Sequence, residues 1–178
     1  MQTRIVLLRG INLGPRNRIS MPELRELLER AGFERVRTYV QSGNVVLRCD
    51  ASTEQVAREC RQLLADALGL DIEVIVRTRD QLAEVVRRNP LAKVALDPKR
   101  YQVSFLEREL DAAGLDELAA LAAGAERLVA IGRELYAWHP DGVARSRLWA
   151  RLASRSLGVS ATARNWSTVT TLLAMADA

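Results

Sequence analysis

The nine residues Thr38-Tyr39-Val40-Gln41-Ser42-Gly43-Asn44-Val45-Val46 (TYVQSGNVV) lie between two helical segments and read as two strands joined by a turn. Val36, Thr38 and Val40 alternate with Arg35, Arg37 and Tyr39, the period of a half-buried strand. Ser42-Gly43 supplies a tight connection, and Val45 to Arg48 is the returning strand. A hairpin of this length can join only antiparallel neighbours.

Before the hairpin, the apolar run Arg4 to Leu8 (RIVLL) reads as a buried strand. Ser20-Met21-Pro22-Glu23 then forms a capping box, with proline tolerated in the first turn. Leu24, Leu27, Leu28 and Ala31 give that helix its apolar stripe, and Gly32 ends it. After the hairpin, Ser52 to Gln55 open a second helix with Val56, Cys60, Leu63, Leu64, Ala67 and Leu68 inward; Gly69 stops it. A strand over Ile72 to Val76 completes the order β-α-β-β-α-β, the ferredoxin-like α/β plait with both helices on one face of an antiparallel sheet.

A third capping box, Thr78 to Gln81, starts a short helix that Asn89-Pro90 terminates. The second half repeats the order more loosely. Tyr101 to Leu106 is a strand, Leu115 to Ala123 is helical, and strands near Leu128–Ile131 and Leu135–Trp138 meet at Gly132-Arg133. Ser146 to Leu157 is helical up to Gly158, residues 159–163 are extended, and Asn165 or Ser167 caps a last helix. The fold expected is therefore α+β: two ferredoxin-like α/β plaits in tandem with antiparallel sheets, the second degraded at its final strand, plus a C-terminal helix. The first plait covers residues 1–78, a short helix and linker 79–99, and the second plait-like domain 100–178.

The composition excludes several classes. Charged residues make up 27% and hydrophobic ones 48% of the 178 residues, which suits a packed core. Lys and Arg exceed Asp and Glu by four, but the two signs are interspersed along amphipathic helices as on solvated faces. A nucleic-acid partner is disfavoured, since aromatics total 4% and only Tyr39, Tyr101 and Phe105 could stack bases from a plait sheet. Cys49 and Cys60 read as free thiols of a reducing compartment, and no run has membrane-spanning length, so a cytoplasmic protein is expected. No cluster has metal-ligand spacing, no cofactor is implied, and the one histidine, His139, reads as a half-exposed turn residue before Pro140-Asp141-Gly142.

Three polar clusters remain. Arg9 to Asn17 joins the first strand to the first helix and could aim backbone N–H groups at an anion, although its glycines follow no phosphate-loop spacing and Pro15 removes a donor. Gln41 to Asn44 is explained as turn chemistry except for Gln41. Arg145-Ser146 and Arg164-Asn165 stand at helix starts, where arginine opposes the helix dipole and Arg164 has no evident structural role.

The strings LLRGINLG, TYVQSGNVV, GRELY, PDGVARSRL and TARNWSTV, collinear from about Arg4 to Met175, resemble the bacterial "domain of unknown function" family numbered 1697. The resemblance implies two tandem ferredoxin-like plaits and no established activity. It marks Arg9, Gly10, Asn12, Gly14, Asn17, Gln41, Ser42, Gly43, Asn44, Arg145, Ser146, Arg164, Asn165 and Trp166 as pattern residues; Pro15, Ala144 and Ser167 depart from the pattern. The functional expectation is a polar cleft between the plaits that takes an anionic or phosphorylated small molecule. Arg9, Asn12, Asn17, Gln41, Ser42 and Asn44 would form one wall, and Arg145, Ser146, Arg164 and Asn165 the other. A non-catalytic protein-interaction or weak nucleic-acid-binding module is the alternative. The sequence assigns no catalytic residue and sets no oligomeric state.

Overall fold

Gly43 is the residue on which the hairpin depends. Its backbone is left-handed at φ +77°, and a Cβ added there would lie 2.7 Å from Leu8 Cβ and 2.8 Å from Ile11 Cδ1. Only glycine lets the turn press against the end of the first strand, where Leu8 N donates to Gly43 O at 2.9 Å.

The computed structural model describes all residues, 1–178. In the first plait the elements are β1 (Gln2–Leu8), α1 (Met21–Arg30), β2 (Glu34–Tyr39), β3 (Asn44–Cys49), α2 (Thr53–Leu68) and β4 (Val74–Thr78). The sheet order is β2-β3-β1-β4 with every neighbour antiparallel. Val6, Leu8, Val45, Leu47, Val74 and Val76 form one core with Leu24 and Leu28 of α1 and Val56, Cys60 and Leu64 of α2. Ile5 and Leu7 are as deeply buried as Val6 and Leu8, which is why β1 reads as an unbroken apolar run.

The helix starts follow local chemistry. Ser52 and Gln55 close a full capping box at α2, and Thr78 and Gln81 do the same for α3 (Arg79–Arg88). At α1 only half the expected box forms. Ser20 Oγ accepts from Glu23 N at 3.2 Å, while the exposed Glu23 side chain does not return to the Ser20 N–H.

The second plait repeats the order with β5 (Tyr101–Leu106), α4 (Ala112–Leu121), β6 (Arg127–Ile131), β7 (Glu134–Trp138), α5 (Arg147–Leu152) and β8 (Ala161–Asn165), sheet order β6-β7-β5-β8. The tandem-plait expectation holds, but its weak point lies elsewhere. β8 pairs with β5 along its whole length, from Gln102↔Asn165 to Leu106↔Ala161. The reduced element is α5, six residues against the sixteen of α2, followed by a 3-10 turn at Arg155–Leu157 that Ser154 caps. The first plait's last strand is likewise Val74–Thr78, two residues later than Ile72–Val76.

The helix α6 (Trp166–Asp177) closes the chain. By contact density the molecule divides into one unit of Met1–Glu84 with Leu172–Ala178 and another of Val85–Thr171. Within the first unit, Arg37 donates to Met175 O at 2.6 Å and Arg79 Nε to Asp177 Oδ1 at 2.6 Å, so the last turn of α6 is anchored on β2 and α3. No helix is long and apolar enough to cross a membrane.

Gly43→Ala should cost about 2–4 kcal/mol, combining left-handed backbone strain with overpacking against Leu8. Gly10→Ala, at φ +69° but with nothing near its Cβ, should lose only the backbone component of about 1 kcal/mol. Urea midpoints with an unchanged m-value measure both, and equal losses would contradict the steric account.

Candidate functional site

The loop between β1 and α1 is built around one amide. Asn12 sits at φ 54°, its N–H donates to Asn17 O at 3.0 Å, and its Oδ1 accepts from Ile19 N at 3.0 Å. Asn12 Nδ2 donates to Ile19 O and to Gln41 O, both at 2.8 Å. Both amide hydrogens are thus committed, and Asn12 fastens its own loop to the β2–β3 turn. Ile11 and Ile19 anchor the two ends of the loop in the core. Asn17 also adopts positive φ, 53°, and contributes through its backbone carbonyl.

The other expected wall residues of this plait are also engaged. Asn44 is fully buried, and its Nδ2 donates to Tyr39 O at 3.1 Å and Ser42 Oγ at 3.0 Å. Arg9 turns toward β4 and pairs with Glu73 at 2.8 Å in a half-buried contact. Gln41 alone of the set presents an exposed side chain. Next to it Val40 stands outside β2, 51% exposed and at φ 50°, contrary to the inward strand position that its alternation suggested. A β-branched residue in this region is a genuine outlier, worth about 1–3 kcal/mol of strain.

Between the two loops and the start of α1 lies an open groove of about 620 Å³ lined by Asn12, Arg18, Ile19, Ser20, Glu23 and Gln41. Arg18 Nε is held by Gly14 O at 2.9 Å, which fixes the base of its guanidinium at the rim. Arg18, Ser20 and Glu23 were not among the candidates. In the sequence Ser20 and Glu23 signal a helix start, and Arg18 stands two residues before that cap.

In the second unit most of the expected residues have local partners of their own. Arg145 is exposed. Ser146 caps α5, accepting from Trp149 N at 3.0 Å, and Asn165 caps α6, accepting from Thr168 N at 2.9 Å. Arg164 does have a structural role. It alternates with Thr162 on a buried face of β8, donates to Thr162 Oγ1 at 2.7 Å and to Ala163 O at 2.8 Å, and burial lowers its pKa to about 10.

His139 is fully buried rather than half-exposed. Its Nδ1 meets Glu126 Oε2 at 2.6 Å, and Ser146 Oγ donates to the same carboxylate oxygen at 2.6 Å. Serine, histidine and carboxylate together suggest a hydrolytic triad, but the connectivity is wrong for one. A triad uses one imidazole nitrogen for the acid and the other for the nucleophile. Here Ser146 lies 3.3 Å from Nδ1, the nitrogen already on Glu126, and Nε2 is buried without a partner. The cluster is a tie joining the end of β7 to the start of α5.

Burial alone would raise the Glu126 pKa, but hydrogen bonds from Ser146, His139 and the Ala123 N–H outweigh it and the value is lowered. A carboxyl with a folded pKa below its unfolded one contributes stability at neutral pH and loses it as pH falls from about 4.5 through the folded pKa. Glu126→Gln should lower stability at pH 7 by about 1–3 kcal/mol and flatten the loss between about pH 5 and 3. Urea midpoints across that range test this; an unaltered slope would show that the tie does not titrate with folding.

No curated protein matches the sequence. A conserved bacterial protein of Streptococcus pneumoniae has a similar solved structure, with TM-score 0.76, 23% identity and 98% of each chain covered, which shows the shared fold. Residues 1–136, all of the first plait and the second as far as β7, match the family described as "Protein of unknown function (DUF1697)". The chain belongs to that family.

Proposed function

We propose that the first plait binds an anionic, hydroxyl-bearing small molecule in the groove beside α1, with Arg18 taking the anionic group and Gln41 and Glu23 the polar remainder. One observation carries this reading. Two exposed side chains, Arg18 and Gln41, rest on a support far more constrained than a connecting loop requires: four hydrogen bonds through Asn12, the close approach at Gly43, and a strained valine at position 40. Strain in an exposed loop persists only where the surroundings over-determine it, and such positions cluster at binding sites. Rigid support beneath a few polar groups is also what binding with little ordering cost requires. The pattern residues Asn12, Gly43 and Asn44 then act as positioning residues.

A protein-interaction role is the second reading, favoured by Leu13 at 82% exposure beside Asn12 and by Val40 beside Gln41. A base-stacking role finds less support, because Tyr101 and Phe105 are buried.

Titration calorimetry with inorganic phosphate, pyrophosphate and a hexose phosphate tests the ligand reading. Arg18→Gln should leave stability within about 0.5 kcal/mol and weaken the best probe about 10- to 100-fold. No saturable binding by any probe, or binding indifferent to Arg18→Gln, would rule it out. Val40→Gly relieves the left-handed strain and should cost little or even stabilise, by up to about 1 kcal/mol, while weakening the same probe. If binding is unchanged by Val40→Gly, the strain has no part in the site.

A further inference from the structure

Each sheet has two edge strands, and three of the four are protected. β2 is bulged between Glu34 and Arg37, with Arg35 at φ 50°, and Arg37 donates to Met175 O. β4 and β8 are mostly buried, and each runs directly into the helix that follows it. Charge, bulges and covering elements are the devices that keep an edge from pairing with another chain. β6 has none of them beyond Arg127 at its start.

The sequence of β6, Arg127-Leu128-Val129-Ala130-Ile131, is apolar at four of five positions, yet of the eight strands it alone has no buried residue. It pairs with β7 without a register shift. Ile131 and Glu134 flank the two-residue turn Gly132-Arg133, so their backbones bond to each other. The alternation of an antiparallel ladder then turns the backbones of Leu128 and Ala130 away from β7. Arg133 O accepts from Leu106 N of β5, which fits the same phase. No loop or side chain meets the N–H and C=O groups of Leu128 and Ala130 on that outer side.

We propose that β6 is the contact of a homodimer, in which a second copy of this chain pairs with it antiparallel about Val129 and the two four-stranded sheets become continuous. Antiparallel pairing of a strand with itself is two-fold symmetric, so one set of contacts serves both copies. Leu128 of each copy exchanges backbone bonds with Ala130 of the other, and Val129 meets Val129 as a β-branched cross-strand pair. Arg127 lies across from Ile131 of the second copy, so the two Arg127 side chains fall at opposite ends of the pairing.

The charges at those ends are complementary. Glu109 is exposed beside the turn, its Oε1 3.9 Å from where a Cβ on Gly132 would stand. Gly132 follows Ile131, so Arg127 of one copy arrives next to Glu109 of the other. Within its own chain Arg127 donates to Glu126 O and Gly124 O through Nη1 alone, leaving Nε and Nη2 for that carboxylate. Glu107 is exposed on the same connection, Arg108 donates to Gly158 O, and Arg133 and Glu134 have partners within the chain.

A five-residue edge makes a small interface, so the dimer should dissociate at about 1–100 μM. Sedimentation equilibrium of the full chain from about 1 to 500 μM should show this equilibrium. Amide exchange at Leu128 and Ala130 should slow as concentration rises. Ala130→Pro removes an outward N–H without touching the β7 ladder and should abolish the dimer while preserving the monomer's circular dichroism. Arg127→Glu, which sets like charges against each other, should weaken the dimer about tenfold or more, and adding Glu109→Arg should restore it. Arg18→Gln should leave the equilibrium unchanged, because the contact is independent of the groove beside α1. A chain that stays monomeric to about 500 μM overturns the proposal and leaves the edge to an extended peptide of another protein. So does a dimer in which the Leu128 and Ala130 amides still exchange fast, or one whose loss in Arg127→Glu is not reversed by Glu109→Arg.

Discussion

One side-chain amide holds the polar end of the first plait together. Asn12 imitates a strand by exchanging hydrogen bonds with both backbone groups of Ile19, and it reaches across to Gln41 O. The β1–α1 loop and the β2–β3 turn are separate in sequence, and neither has a ladder of its own at this point. Without the Asn12 amide, the buried polar groups of both segments would need water as a partner. Gly43 makes the reach short enough, because only a residue without Cβ brings the turn down onto Leu8 and Ile11. The groove, the direction of Gln41 and the strain at Val40 all follow from this pair of contacts.

This changes how the family's polar pattern is read. Asparagines, a serine and arginines concentrated in loops look like ligand contacts, yet Asn12, Asn44, Ser146, Asn165 and Arg164 are occupied by the fold itself. Burying such groups in loops is costly unless every donor is matched, so a loop that keeps them is highly specified. That specification holds the exposed neighbours Arg18 and Gln41 in place. In the proposed reading Gln41 belongs both to the pattern and to the exposed polar groups of the groove, whereas Arg18 lies outside the pattern.

The fold was legible because it rests on local signals that agree: helix caps at Ser20, Ser52 and Thr78, stops at Gly32 and Gly69, and a hairpin at Gly43. The failures share a physical cause, dependence on partners distant in sequence. β8 was undervalued because ATARN buries Thr162 and Arg164, polar residues whose acceptance depends on hydrogen bonds within the sheet. His139 reads as a residue beside a turn because its partner Glu126, thirteen residues upstream, lies in the connection between α4 and β6, where no periodicity marks it. Val40 continued the alternation of β2 on paper, but the turn claimed it. At the candidate groove, sequence located the loop and missed the wall, since Arg18 and Glu23 look like ordinary helix-flanking charges.

The buried arginines bear on every electrostatic statement about this chain. The formal charge of +4 counts 26 cations against 22 carboxylates. Arg4, Arg77 and Arg164 are interior, while no aspartate or glutamate is. Their guanidiniums donate to backbone carbonyls: Arg4 to Ala51 O, Arg77 to Val76 O and Arg164 to Ala163 O. Guanidinium suits this role, because its fan of donors can satisfy backbone carbonyls while its charge is weakly hydrated. Setting those three aside leaves 23 cations against 22 carboxylates in contact with solvent. The buried guanidiniums still count in the net charge of +4, but they are out of reach of a partner at the surface. An anion at the surface would therefore be held by local arrangement, as proposed for Arg18 at the rim of the groove beside α1.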